Sequence, residues 1–320
     1  MFSILIPSWN NLEYLKLCVD SIQRHSRFAH EILVHVNEGS DGTAEWLESS
    51  GIRYCRSPRN VGIPIALNGL ARMATKDWIL YLNDDMVCCP DWDGALLEAA
   101  RKAPDDLGFY SSRLIEPTAS GNPVVVTQDF GRTAASFDED ALLRGYRSGP
   151  RHDLHGLASQ PTLVSRRWWD RVGGYSVELS PGMSTDLDFL MKLWVVGCRR
   201  YTVVGESRVY HFACRSTGRI VKNHGGATFA MKWGVTENEF KRWMSRSDRP
   251  GEGGEAATGL SRQLRRFSRR AKRAWYALTG DYPLVDLAHW KELSAVSEAS
   301  TASAAAAGRP GRPDPDLRKD

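Results

Sequence analysis

The sequence predicts an α/β fold, a mostly parallel central sheet flanked by helices. Two observations predict it. Short apolar, β-branched runs alternate with helical patterns through the first hundred residues, the arrangement that a parallel sheet covered on both faces requires. Polar residues also gather just past the ends of those runs, at Asn10, Glu38, Asn60 and Asp84/Asp85. In such sheets ligands bind outside the carboxyl ends of the strands.

Taken in order, strands are expected at Phe2–Pro7, Glu31–Val36, Ile52–Cys55 and Trp78–Leu82. Helices are expected between and after them, near Leu12–Arg24, Thr43–Ser49, Pro64–Thr75 and Asp91–Ala103. Asp41-Gly42-Thr43 supplies a turn and a helix start, and Pro64 suits a first helical turn. From about Gly108 to Ala158 the pattern loosens, with a short strand at Val124–Thr127. STDLDFLMKLWVVG then reads as a helix, with Leu187, Leu190, Met191, Trp194 and Val195 on one face. Two strands, Arg200–Val204 and Arg208–Phe212, follow, and a helical region runs from about Ala227 to Met244.

These elements define a domain over residues 1–250. GEGGEAATG, residues 251–259, is a linker by composition. Residues 260–293 open with a basic amphipathic helical pattern that carries seven Lys/Arg side chains between Arg262 and Arg273 with no acid among them. The Ala/Ser/Pro-rich stretch 294–320 is expected to be disordered.

Bulk properties narrow the function. A chain of 320 residues, 42% hydrophobic and 25% charged, buries a sizeable core. The net charge of +4 does not mark a nucleic-acid binder. Six cysteines without CxxC spacing suit reduced thiols rather than a zinc site. No run of about 18 apolar residues occurs, and a cytoplasmic location is expected. No GxGxxG follows the first strand, which disfavours a dinucleotide oxidoreductase.

The segment WILYLNDDM poses the chemical question, because an apolar strand stops on adjacent carboxylates. Ionised side chains are costly to bury without partners. SILIPSWNNLEYL, VNEGSDGT, RNVGIPIALNGLARMATKDWILYLNDDM, STDLDF and YHF, in this order, together resemble an inverting GT-A glycosyltransferase of family 2, over about residues 2–240. The resemblance implies a Rossmann-like GT-A domain that uses a nucleoside-diphosphate sugar, UDP- or dTDP-linked, and a glycan or lipid-linked acceptor in cell-surface polysaccharide or glycolipid synthesis. It places Pro7, Ser8, Asn10, Glu38, Asn60 and Gly62 around the nucleotide.

Asn83-Asp84-Asp85 takes the place of the family's DxD motif, with Asn83 where an acid is usual. The resemblance makes Asp85 and His211 the ligands of a divalent cation. Mn²⁺ suits a mixed His/Asp set, with Mg²⁺ the alternative. Asp84 is left to the ribose or the loop. Asp186 is implied as the base that deprotonates the acceptor, with Thr185 where an acid is common. Asp188, two residues on, points elsewhere on a helix and is expected to hold the loop or cap the helix. Trp168, Trp169 and Tyr175 read as core more than as sugar-stacking groups. The basic segment over 260–278 is a candidate foothold on an anionic membrane surface, which would put the protein at the inner face of the plasma membrane; no specific nucleic acid is expected. Two other functions fit the same residues: an inactive nucleotide-sugar binder of this fold, and an interaction protein acting on membrane or nucleic acid through its basic helix.

Overall fold

The computed structural model describes residues 1–213 and 223–246, with isolated positions at 271, 274 and 275. The expected linker, nearly all of the basic segment and the tail lie outside the described residues.

A ten-stranded sheet forms the centre of the molecule, in the order β3-β2-β1-β4-β9-β6-β10-β5, with β7 beside β6 and β8 beside β10. The strands are β1 (Phe2–Trp9), β2 (Glu31–Asn37), β3 (Arg53–Ser57), β4 (Trp78–Tyr81), β5 (Met86–Cys88), β6 (Phe109–Glu116), β7 (Val125–Thr127), β8 (Leu154–His155), β9 (Thr162–Ser165) and β10 (Tyr201–His211). The helices are α1 (Leu12–His25), α2 (Thr43–Ser49), α3 (Gly62–Met73), α4 (Trp92–Arg101), α5 (Glu139–Gly145), α6 (Arg166–Val172), α7 (Thr185–Val195), α8 (Gly225–Trp233) and α9 (Glu237–Met244).

The first half follows the expected alternation: β3, β2, β1 and β4 pair in parallel. In the remainder β10 and β7 pair in parallel with β6, and three strands run the other way. β9 runs antiparallel between β4 and β6, and β5 and β8 run antiparallel to β10. The loose region after Gly108 contains β6, whose eight residues FYSSRLIE are all buried. Its serines and arginine hid it, because burial on both faces removes the polar/apolar alternation that marks a half-exposed strand. The two strands expected near residues 200–212 are one strand, β10, with a register shift between Val204 and Arg208. The single helical region expected after Ala227 is two helices. Gly234, in the left-handed conformation, ends α8, and a Thr236/Glu239 capping box starts α9.

Strand alternation divides the core. Phe2, Ile4 and Ile6 face α1 and α4 on one side, in a cluster with Leu15, Val19, Trp92 and Leu96. Leu5 and Leu33 face the other side, with Leu67, Trp169, Phe189 and Phe240. Each fully buried side chain of this kind contributes about 1.5–3 kcal/mol, so the sheet is fixed from both faces and its strand ends are rigid supports. The five described cysteines are buried and unbridged.

Candidate active site

A cleft of about 760 Å³ opens at the carboxyl ends of β1, β2 and β4. Its walls include Pro7, Ser8, Asn10, Asn60, Gly62, Asn83, Asp84, Asp85, Asp186 and His211. Ten of the eleven residues singled out from sequence therefore meet in one cavity. Glu38 is not on the wall. It stands behind Asn10, whose amide donates to its carboxylate at 3.2 Å.

The β1 end supplies the floor. Ser8 is 2% exposed and its Oγ has no hydrogen-bond partner. A buried hydroxyl left unpaired beside a cavity is a ready contact for a polar ligand. Asn10 and Glu38 both have positive φ, 47° and 64°, a conformation uncommon outside glycine and often found at functional turns. Asn10 is pinned further by the Ser40 amide, which donates to its Oδ1 at 2.9 Å. Asn37, beside Glu38 in the same motif, is on the cleft wall and was passed over in the sequence. Its Oδ1 accepts from the Val61 amide at 2.9 Å, joining β2 to the start of α3. Asn60 Oδ1 accepts from the Gly62 amide at 2.9 Å, an Asx turn that shapes this corner.

Gly62 is fixed by close approach. Its φ is +80°, and a Cβ there would lie 2.5 Å from Pro181 Cα. The Ile63 amide donates to Pro181 O at 3.0 Å. The segment 181–184 thereby forms the opposite wall, held from behind by Thr185 Oγ1, which donates to Gly182 O at 2.8 Å. Thr185 is buried and serves this wall.

At the end of β4, Asn83 and Asp84 are partly exposed while Asp85 is 5% exposed. His211, at the end of β10, brings Nε2 to 3.5 Å from Asp85 Oδ1, and its Nδ1 lies 2.9 Å from Glu116 Oε1. Burial alone would lower the His211 pKa, but the Asp85 and Glu116 carboxylates outweigh it and hold it up at about 9. Glu116, the last residue of β6, was missed in the sequence because its strand was missed.

These residues fit a divalent cation. A carboxylate oxygen and an imidazole nitrogen converge on the cleft, and Glu116 orients the ring in the way that outer carboxylates orient metal-binding histidines. Among the described residues no group of three or more His, Cys, Asp or Glu forms a complete cation cage. A cation here would draw its other ligands from a bound molecule or water.

Asp186 faces the same cavity from the first turn of α7. Burial pushes its carboxyl above the ordinary range, opposed by hydrogen bonds from Gln160 and Tyr175. Asp188 is fully buried and turned away. It accepts from Ser176 Oγ, from Trp233 Nε1 at 2.8 Å, and pairs with Lys232 at 2.9 Å. This carboxylate ties α7 to α8, a loop-holding role with no helix cap. Trp169 and Tyr175 are core residues, and Trp168 donates to Asp106 at 3.0 Å on the surface. Gln160 had no signal in the sequence, since nothing around it matches a motif and only β9 brings it to the cleft.

Comparison with known proteins gives four findings. Residues 3–124 match the family described as Glycosyl transferase family 2. The uncharacterized protein y4gI of Sinorhizobium fredii is 24% identical over 233 residues, 68% of this chain and 25% of that protein. An uncharacterized glycosyltransferase of Haemophilus influenzae is 24% identical over 196 residues, 60% of this chain and 62% of that one. The matches thus span about a quarter of the first relative and under two thirds of the second. Among solved structures, GalNAc-T7, crystallised with UDP, GalNAc and Mn²⁺, superposes with a TM-score of 0.54 at 15% identity, over 89% of this chain and 58% of that one. At that identity the likeness is one of fold.

Proposed function

We propose that this chain, which belongs to glycosyltransferase family 2 and has the GT-A fold, moves a sugar from a nucleoside diphosphate to an acceptor hydroxyl with inversion. The observation that carries the reading is the convergence of Asp186, Asp85 and His211 on one cleft with the unpaired Ser8 hydroxyl. The β1 and β2 ends and the Asn60 corner would hold the nucleoside, UDP- or dTDP-linked. Asp85 and His211 would hold Mn²⁺ or Mg²⁺. When bound, the cation offsets charge that develops on the departing diphosphate. Inversion needs one in-line displacement, and a single carboxylate takes the acceptor proton. Asp186 has the position and the raised basicity for that task. Asn83 and Asp84 would contact the ribose or the loop.

The acceptor is proposed as a glycan or lipid-linked hydroxyl in surface polysaccharide or glycolipid synthesis. The basic segment 260–278 would serve as a foothold on an anionic membrane. No helix among the described residues is long and apolar enough to cross one. An inactive binder of this fold is the second reading, favoured by Asn83 and by the buried Thr185, neither of which supplies an acid.

Calorimetry of UDP, GDP and dTDP, with and without Mn²⁺, tests the donor site. One nucleotide is expected to bind in a Mn²⁺-dependent way; failure of all three would remove the reading. Asp186→Asn is expected to lower turnover of the cognate sugar nucleotide by about 10²–10⁴-fold, the range for loss of a general base, with nucleotide affinity unchanged. Unchanged turnover would take Asp186 out of the base role.

A further inference from the structure

Asp186 is gripped by two neutral donors that come from different parts of the chain. Gln160 Nε2 donates to Oδ2 at 2.7 Å, and Tyr175 OH donates to Oδ1 at 3.2 Å. Gln160 stands just before β9, which is locked between β4 and β6. Tyr175 lies between α6 and α7, and its ring is 2% exposed. That ring stacks on Phe189 at 4.7 Å with a 4° interplanar angle and meets Tyr81 edge-on at 6.2 Å.

We propose that Gln160 and Tyr175 are positioning residues that clamp Asp186 in one orientation, with its remaining lone pairs aimed at the acceptor hydroxyl. The inference rests on Asp186 being the base. Each carboxylate oxygen has two lone-pair sites, and each donor occupies one. A carboxylate in the first turn of a helix, facing a cavity of this size, would otherwise sample several rotamers. Effective proton abstraction requires placement within hydrogen-bond reach.

The chemistry of the clamp matters as much as its geometry. A Lys or Arg partner would hold the carboxyl well below the usual range and blunt its basicity. An amide and a phenol orient the group while leaving burial to raise its proton affinity. The titratable groups facing Asp186 are Tyr81 from β4 and Tyr175; Asp84, Asp85 and His211 stand elsewhere on the cleft wall. Asp188, on the same helix, is engaged by Lys232 and Trp233.

The test uses the full chain and four variants: Tyr175→Phe, Gln160→Met, Gln160→Glu, and Asp186→Asn to assign the signal. The Asp186 carboxyl is followed by ¹³C NMR through a pH titration, which needs no turnover. A hydrogen bond to the charged form favours it, so the Phe and Met changes are each expected to raise the Asp186 midpoint by roughly one unit. Gln160→Glu sets a like charge against it and is expected to raise the midpoint by about two units or more. In steady-state release of nucleoside diphosphate, kcat below the midpoint falls about tenfold for the Phe and Met variants, with donor KM unchanged. An Asp186 titration that is the same in every variant overturns the clamp, whatever the activity. Shifted titrations in a chain whose wild type turns over no sugar nucleotide overturn the base reading on which the role depends, and leave the hydrogen-bonded clamp standing.

Discussion

At His35 a titratable side chain is sealed inside the sheet with a thiol and a hydroxyl for company. It is 4% exposed, with Nδ1 3.2 Å from Cys55 Sγ and Nε2 3.1 Å from Ser57 Oγ. Burial pushes its pKa down to about 4, a hydrogen bond with Asn37 opposing. The folded state therefore keeps His35 neutral at pH values where the unfolded chain has already taken up a proton. Stability from this site is complete above the unfolded value of about 6.5 and is lost as pH falls from there toward 4, in all about 3 kcal/mol. His35→Gln is expected to lessen this loss. Urea midpoints of both proteins at pH 7.5 and 5.0 measure it, and a pH dependence identical in the two would refute the assignment. Ser57 Oγ, 3.1 Å from His35 Nε2, also lies 3.2 Å from Asn37 Oδ1, so this buried network borders the cleft at the end of β2.

At the scale of elements, the segment 181–184 is shaped by its neighbours more than by its own propensity. Gly62 lets Pro181 approach the start of α3, Gly225 has Met183 O 2.3 Å from where a Cβ would be, and Ser184 Oγ bonds to Glu237. Three helices thus hold one cleft wall. Gly62→Ala would meet both a positive φ and a backbone clash, and is expected to cost about 2 kcal/mol or more. Thermal unfolding reads that cost. Nucleotide affinity is expected to fall with it, because the only room for a methyl group lies in moving the wall; unchanged stability and affinity would show that this wall yields freely.

At the scale of the whole molecule, the proposed function pairs the cleft with a basic segment of the sequence. The seven Lys/Arg side chains between Arg262 and Arg273 carry the proposed membrane foothold. Each basic residue near an anionic surface contributes about 1 kcal/mol. Reversing Arg265, Arg266, Arg269 and Arg270 to Glu in the full chain is expected to abolish flotation with anionic vesicles while nucleotide binding persists. Equal flotation of both proteins would exclude the segment as the foothold.

What the sequence determined by itself was local and periodic. Apolar runs at β1, β2, β3 and β4, separated by helical patterns, located the first half of the sheet; the motifs at their ends named eight residues of the cleft, and STDLDF and YHF named Asp186 and His211. Each of those signals lies within a few neighbours along the chain. Tertiary structure decided the rest. It inserted β9 antiparallel between β4 and β6, which brought Gln160 to Asp186 across 26 positions, and it placed Glu116 against His211 across 95. It also turned Glu38 from the cleft toward Asn10. Such contacts depend on strand order and register. No linear spacing encodes them, because the burial that fixes them erases the alternation by which strands are read.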